Sequence, residues 1–237
     1  MIETQVDAQE LAEFARARAA FSSFLTVHFV VLPDEQFVQQ MRGPEVSAML
    51  KALPNDGSVN EDMATGAALM DHFLETTRSD TPAELSEKLG VDRTRIYRGL
   101  SPTYGPPPPY EMVWSQTWPE MSLLPELARI YRENGLGPSA EIIDRLDYAG
   151  LELEFIHTLA TREAAAWEAG DTAAAQALLQ TQQQFFSEHL EQWVLSFVER
   201  VLAEAKTDFY HGHLLMLRGF ILEQAEVFSL SAPARPA

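Results

Sequence analysis

Apolar residues along this chain recur at the spacing of an α-helix wherever a long segment can be tested. Within residues 187–205 they follow the order i, i+3, i+4, i+7, i+8, i+11 and i+12, occupied by Leu190, Trp193, Val194, Phe197, Val198, Val201 and Leu202. Residues 208–228 are apolar nearly all round the helix axis, which is typical of a helix at the centre of a bundle. No segment shows a convincing strand-like alternation of apolar and polar residues. The pattern therefore predicts an all-α fold.

The same periodicity and the helix-terminating residues predict the remaining helices. Three earlier helices are expected over residues 9–32, 59–78 and 82–99, the last of them broken near Gly90. The first helix should bury a stripe made of Leu11, Phe14, Phe21, Leu25 and Phe29. Asp34 is placed to cap a short second helix. A further helix should start at Pro125, and residues 147–186 should form a helical hairpin with its turn at Gly170-Asp171.

A proline-rich segment interrupts the helical pattern in the middle of the chain. Residues 106–109 are four consecutive prolines, which cannot continue a helix and favour an extended polyproline conformation. The aromatic residues around them indicate a segment packed against the protein rather than a free linker. The sequence thus predicts one domain of about 8–11 helices over residues 1–229. Its parts are the N-terminal helices (9–99), the Pro-rich loop (100–121) and the C-terminal helices (122–229), before a flexible tail (230–237).

Charge and cysteine content narrow the function classes. The 237 residues include 17 Lys+Arg and 35 Asp+Glu, a net charge of −18, which argues against broad binding to nucleic acid or anionic lipid and suits a basic partner. The absence of cysteine excludes disulfides, a thiol nucleophile and Cys-ligated zinc. The longest strongly apolar stretch, residues 214–222, is too short to span a membrane, and the acidic N-terminus does not look like a secretory signal. We expect a cytoplasmic protein with no stable membrane insertion.

One alternative function is DNA binding. Residues 81–100 look like a helix-turn-helix, with a capped first helix, a turn at Gly90 and a second helix bearing Arg93, Arg95 and Arg98. Such arginines would meet phosphates and guanine edges in a major groove. The same residue types also suit a short helical hairpin, and the rest of the chain is strongly acidic.

A second alternative is a di-iron enzyme. Helical bundles bind two iron ions through paired Glu-x-x-His motifs, and the chain has Glu154-Phe-Ile-His157 with a weaker counterpart from Asp208 to His211. A complete site requires a second good motif and further inward-facing carboxylates.

Other catalytic signatures, such as a phosphate-binding Gly-rich loop, are missing from the sequence, which favours a protein that is not an enzyme.

Four stretches of the chain resemble the TorD/DmsD family of redox-enzyme maturation chaperones, which includes the NarJ-like proteins. They are Asp92-Arg-Thr-Arg-Ile-Tyr-Arg-Gly, the prolines followed by Tyr110-Glu-Met-Val-Trp114, Asp147-Tyr-Ala-Gly-Leu-Glu-Leu-Glu-Phe155, and Phe186-Ser-Glu-His-Leu-Glu-Gln-Trp193 with Phe209-Tyr210. Their order and spacing cover residues from about 90 to 220. The family's Pro-Asp-His motif is replaced here by Leu146-Asp147-Tyr148.

The resemblance implies a cytoplasmic chaperone for a molybdopterin-dependent oxidoreductase of the dimethyl sulfoxide reductase type. Such a chaperone binds the twin-arginine signal peptide and the catalytic subunit, assists insertion of the client's molybdopterin cofactor and delays export. A basic and apolar peptide needs acidic groups beside an apolar groove. The expected client-binding residues are Ile96, Tyr97, Gly99, Tyr110, Glu111, Trp114, Asp147, Tyr148 and Glu152.

Within this set, Asp147, Glu152 and Glu111 are the candidates to meet the arginines. Core packing is the alternative role for Tyr97 and Trp114, and helix capping is the alternative for Asp147. The chaperone itself should need no cofactor or metal. Weak guanine-nucleotide binding stays an open alternative, because Tyr148 stands where the family has the His associated with that contact. The protein is expected to be a monomer or a domain-swapped dimer hinged at the Pro-rich loop.

Overall fold

The computed structural model describes residues 7–98, 105–115, 117–119, 121–137 and 145–231. Gly99, parts of the Pro-rich loop and residues 232–237 of the predicted tail lie outside this range. The described residues contain eleven α-helices and no strand, so the all-α prediction is confirmed. The helices are α1 (Ala8–Val30), α2 (Glu35–Met41), α3 (Pro44–Ala52), α4 (Glu61–Thr76), α5 (Pro82–Tyr97), α6 (Glu111–Trp114), α7 (Leu123–Glu133), α8 (Ala149–Glu168), α9 (Thr172–Phe185), α10 (Glu191–Leu202) and α11 (Asp208–Ser231). A 3₁₀ turn (Leu53–Asn55) follows α3, and a π turn (Phe186–Leu190) leads from α9 into α10.

Several helices begin or end at residues that suit the helix terminus, either by accepting hydrogen bonds from its unpaired backbone N–H groups or by adopting the backbone conformation of the turn. The Asp34 carboxylate accepts the N–H of Phe37 at 2.8 Å, which confirms its predicted capping role. At the start of α5, Thr81 and Glu84 form a reciprocal capping box. The turn between α8 and α9 is made by Gly170, whose φ of 73° suits a residue without Cβ.

The core is arranged around α11. This helix packs against α4 on one side and α10 on another, while α1 lies along α8, and α9 completes the hairpin predicted for residues 147–186. Its fully buried residues include Phe209, Tyr210, Leu214, Met216, Leu217 and Ile221. The predicted central position of this helix is confirmed. None of the helices described combines the length and apolarity that crossing a membrane requires.

The contact between α4 and α11 is a backbone-to-backbone approach at glycine. A Cβ added to Gly66 would lie 2.5 Å from the Gly212 carbonyl oxygen, closer than real Cβ atoms come to any neighbour. Gly219, seven residues after Gly212, has the same relation to the side chain of Asn60. Small residues on these faces therefore set how closely the two helices pack.

Two details of the sequence interpretation are wrong. Phe14 is 58% exposed rather than part of the buried stripe of α1, where Ala12 and Ala15 take the inward positions. Gly90 does not break a helix, because α5 runs without interruption from Pro82 to Tyr97. Tertiary packing outweighs the weak helix propensity of this glycine.

The continuous α5 also overturns the helix-turn-helix alternative, since there is no turn and no separate recognition helix. Arg93 is buried and donates hydrogen bonds to the carbonyls of His28 and Phe29, and Arg95 lies 3.5 Å from the Asp92 carboxylate. Two of the three arginines assigned to DNA are thus held by the protein itself.

The glycine contact yields a paired prediction on stability. Gly66→Ala should lower the free energy of unfolding by about 1–3 kcal/mol, because the new methyl group forces α4 away from α11. Gly90→Ala is the control, since its nearest neighbour is Pro33 Cγ at 4.0 Å. It should raise stability by about 0.5–1 kcal/mol through helix propensity alone. Urea denaturation measures both, and equal effects of the two substitutions would contradict the close-packing argument.

Candidate functional site

The Pro-rich segment is fixed to the start of α8 by backbone hydrogen bonds. The N–H of Glu111 donates to the Asp147 carbonyl at 2.8 Å, and the N–H of Ala149 donates to the Pro109 carbonyl at 3.0 Å. The indole of Trp114 donates to the Pro108 carbonyl at 2.9 Å. These bonds confirm the inference that this segment is packed down, at least for its described residues.

A groove of about 790 Å³ lies where this segment meets α5, α8 and the C-terminal end of α1. We call it the tyrosine groove, because three of its lining residues are Tyr97, Tyr110 and Tyr148. Its other lining residues are Thr26, Phe29, Val30, Leu32, Arg93, Arg98, Pro108, Gly150, Leu151 and Glu154. Val30 and Leu32 are 49% and 63% exposed, so apolar surface extends from the groove onto the adjoining end of α1.

At the groove, the backbone carbonyl of Phe29 accepts two hydrogen bonds from side chains of other elements. The Tyr148 hydroxyl donates to the Phe29 carbonyl at 2.9 Å, and the Arg93 guanidinium donates to the same oxygen. This carbonyl belongs to the last turn of α1, where backbone oxygens have no partner within the helix. Side chains from α5 and the start of α8 thus meet at the end of α1.

Behind the groove lies a buried acidic cluster, which we define as Glu111, Asp147 and Glu152, each with 0% exposure. Asp147 accepts two hydrogen bonds from the Arg145 guanidinium, at 3.0 and 2.8 Å, and one from the Met112 N–H at 3.1 Å. Asp147 therefore binds the N-terminal turn of α6. It is not the N-cap of α8, because that position belongs to Tyr148.

The other two members of the cluster are bonded to aromatic residues and histidine. The Glu111 carboxylate accepts from the Trp118 indole at 2.7 Å and is 2.9 Å from His189 Nδ1. The Glu152 carboxylate accepts from the Trp193 indole at 3.0 Å. Burial, with the nearby negative charge of Glu111, raises the pKa of Glu152 well above its ordinary value. Burial therefore favours the protonated, neutral form of this carboxyl.

The predicted site residues therefore fall into two layers. Tyr110 and Tyr148 line the groove, whereas the acidic cluster and Ile96 lie in the interior. Tyr97 borders the groove but is only 3% exposed, with its hydroxyl 2.7 Å from His213 Nδ1, so its main role is core packing. Trp114 is partly buried and packs edge-on against Phe197. Direct contact between the acidic cluster and client arginines stays a prediction that the geometry leaves untested, and Gly99 lies outside the described residues.

Sequence reasoning missed several residues that line the groove. Val30 and Leu32 belong to an apolar run at the end of α1 that reads as core, and Glu154 was grouped with His157 as a possible iron ligand. The His157 ring instead donates to the Ala19 carbonyl at 2.9 Å. Within the described residues there is no group of three or more His, Asp or Glu side chains placed to hold a metal ion.

The raised pKa of Glu152 predicts how stability depends on pH. The unfolded chain loses this proton near pH 4.5, the ordinary value, whereas the folded chain loses it only at a higher pH, so folding becomes less favourable as the pH rises above 4.5. Glu152→Gln has no proton to lose and should gain stability relative to the native protein as the pH rises above about 4.5, by at most about 1.4 kcal/mol per pH unit. Urea unfolding at several pH values measures this. Glu13→Gln, at an exposed site, is the control, and parallel profiles for the native and Glu152→Gln proteins would contradict the prediction.

Comparison of the sequence with known proteins identifies a family. A search of curated proteins found no match. A family model described as the nitrate reductase delta subunit matches residues 57–199, which include α4 to α9, most of α10, the Pro-rich segment and the acidic cluster. Members of this family are maturation chaperones for molybdoenzymes rather than catalysts. The chain belongs to the nitrate reductase delta subunit family.

Proposed function

We propose that this protein is a cytoplasmic chaperone that binds the twin-arginine leader of a molybdoenzyme catalytic subunit in the tyrosine groove. It holds the apo-subunit while the molybdopterin cofactor is inserted and so delays export. The client is an oxidoreductase of the dimethyl sulfoxide reductase type. The observation that carries the proposal is a groove with aromatic and charged lining residues, at the place where the Pro-rich segment meets α1, α5 and α8.

The shape and chemistry of the groove suit a peptide. Tyrosine rings provide rigid apolar area with a polar end, so they bind a segment of varied sequence at low entropic cost. Val30 and Leu32 extend this area onto the surface, where a longer apolar run would remain in contact. A leader with an apolar stretch supplies the matching surface.

In this proposal the acidic cluster organises the groove from behind. Asp147 holds Arg145, and the Arg145 guanidinium lies 4.7 Å from the centre of the Tyr110 ring. The Tyr110 ring in turn contacts that of Tyr148, with 5.4 Å between centroids. The buried Asp147 carboxylate thereby helps to fix the positions of Tyr110 and Tyr148, which line the groove.

The first prediction from this proposal concerns the apolar rim. Leu32→Asn should weaken binding of a synthetic peptide in which two arginines precede an apolar run, by roughly tenfold, because it replaces apolar contact area with an amide. Fluorescence anisotropy measures the Kd. Leu222→Asn is the matched control, since Leu222 is 46% exposed on α11 and does not line the groove. No binding of this peptide to the native protein would refute the proposed function.

A second prediction separates the two possible roles of Asp147. If Asp147 positions Tyr110 through Arg145, Asp147→Asn should weaken the binding of two peptides by the same factor. One is the arginine peptide, and the other has glutamines in place of the arginines. If Asp147 contacts the arginines directly, only the first peptide should lose affinity. Titration with both peptides, beside thermal unfolding to exclude a folding defect, decides between them. We expect equal losses, since the carboxylate is fully buried.

A further inference from the structure

Glu154 is the acidic side chain that lines the tyrosine groove and is exposed. It lies on the second turn of α8 and has no ion-pair or hydrogen-bond partner among the described residues. It also borders a second, smaller and mostly apolar pocket of about 140 Å³, between α7 and α8, as does Leu151. Glu154 and Leu151 thus lie at the boundary between the tyrosine groove and this apolar pocket.

The other charged groups at the groove differ from Glu154. Arg93 is bonded to main-chain carbonyls, and Arg145 is bonded to Asp147, so neither is available to a ligand without losing a partner. Arg98, at the end of α5, is exposed and has no ion-pair partner in the described part of the chain. Counted over the described residues, the groove therefore presents one unpaired anion on α8 and one unpaired cation on α5.

We propose that Glu154 is the specificity-determining residue that selects a basic side chain in the bound client segment, a proposal that rests on the proposed peptide-binding function. A lysine or arginine next to an apolar run pairs with Glu154 while its neighbours occupy the apolar surface on either side of this boundary. Arg98 repels a second basic residue at the α5 rim, so the two unpaired charges also set the direction of the segment.

The expected energy is that of a surface ion pair at the edge of an apolar groove. Such pairs contribute little when fully solvated and are weakened by salt. Glu154→Gln should therefore raise the Kd for the arginine peptide by roughly two- to fivefold at low ionic strength, with a smaller effect at high salt. Binding of the glutamine peptide should not change, because that peptide has no cation to pair with Glu154.

The matched control is Glu13→Gln, which removes one exposed carboxylate from the same protein. Glu13 lies on α1 thirteen residues before Thr26, the first groove residue of that helix, and this corresponds to roughly 20 Å along the axis. It should leave the Kd for both peptides unchanged. The charge reversal Glu154→Arg should weaken the binding of the arginine peptide further. It should strengthen the binding of a peptide with glutamates in place of the arginines.

The outcomes separate this inference from the proposed function. If the native protein binds the arginine peptide and Glu154→Gln binds it equally well at low salt, the role of Glu154 is refuted while leader binding stands. If Glu13→Gln weakens binding as much as Glu154→Gln, the effect is general electrostatic attraction and the inference is likewise refuted. If the native protein binds none of the peptides, the proposed function itself fails.

Discussion

The groove depends on how the C-terminal end of α1 satisfies its backbone carbonyls. The last turn of any helix leaves carbonyl oxygens without an intrahelical partner, and a buried helix end must find donors elsewhere. Here the donors are Arg93 on α5 and Tyr148 at the start of α8, which meet at Phe29. One requirement of backbone chemistry thus brings together the three helical elements that line the groove, and Asp147 adds the Pro-rich segment as the fourth wall. A change at either donor would move a wall of the groove as well as exposing an unpaired carbonyl.

Much of the fold can be predicted from the sequence because helix formation depends on local features, namely the spacing of apolar residues and the residues at helix ends. The periodic burial of Trp193, Phe197 and Val201 was readable from spacing alone, as was the cap at Asp34. The break at Gly90 was predicted wrongly because propensity is a small term compared with tertiary contacts. The second half of α5 is held by such contacts: Asp92 accepts hydrogen bonds from the N–H groups of Lys206 and Thr207, just before α11. A bond across more than a hundred residues leaves no local signal in the sequence.

The candidate site was predictable in its location but not in the roles of its residues. The motifs around Tyr110 and Asp147 do come together, since the backbone of one is bonded to that of the other. The carboxylates of Glu111, Asp147 and Glu152, which the sequence predicts to meet client arginines, are fully buried, and burial of acidic groups is rare unless they are paired. Burial is possible here because Trp118, Trp193 and Arg145 supply hydrogen-bond donors, and because the raised pKa of Glu152 favours its neutral form. Which acidic residues find such donors is decided by packing between distant helices, so the sequence alone cannot rank them.

The net charge of −18 and the local charges of the groove act at different ranges. Excess negative charge attracts any basic segment over several ångströms, but screening at physiological salt limits this to about 8 Å, and it distinguishes poorly between basic peptides. Discrimination must come from contacts made after arrival. In the groove these are apolar contacts with the tyrosines and the end of α1, together with the unpaired charges of Glu154 and Arg98. Because added salt screens ion pairs but does not weaken apolar contact, the part of the affinity that falls with ionic strength reports the ion pairs and the remainder reports apolar contact.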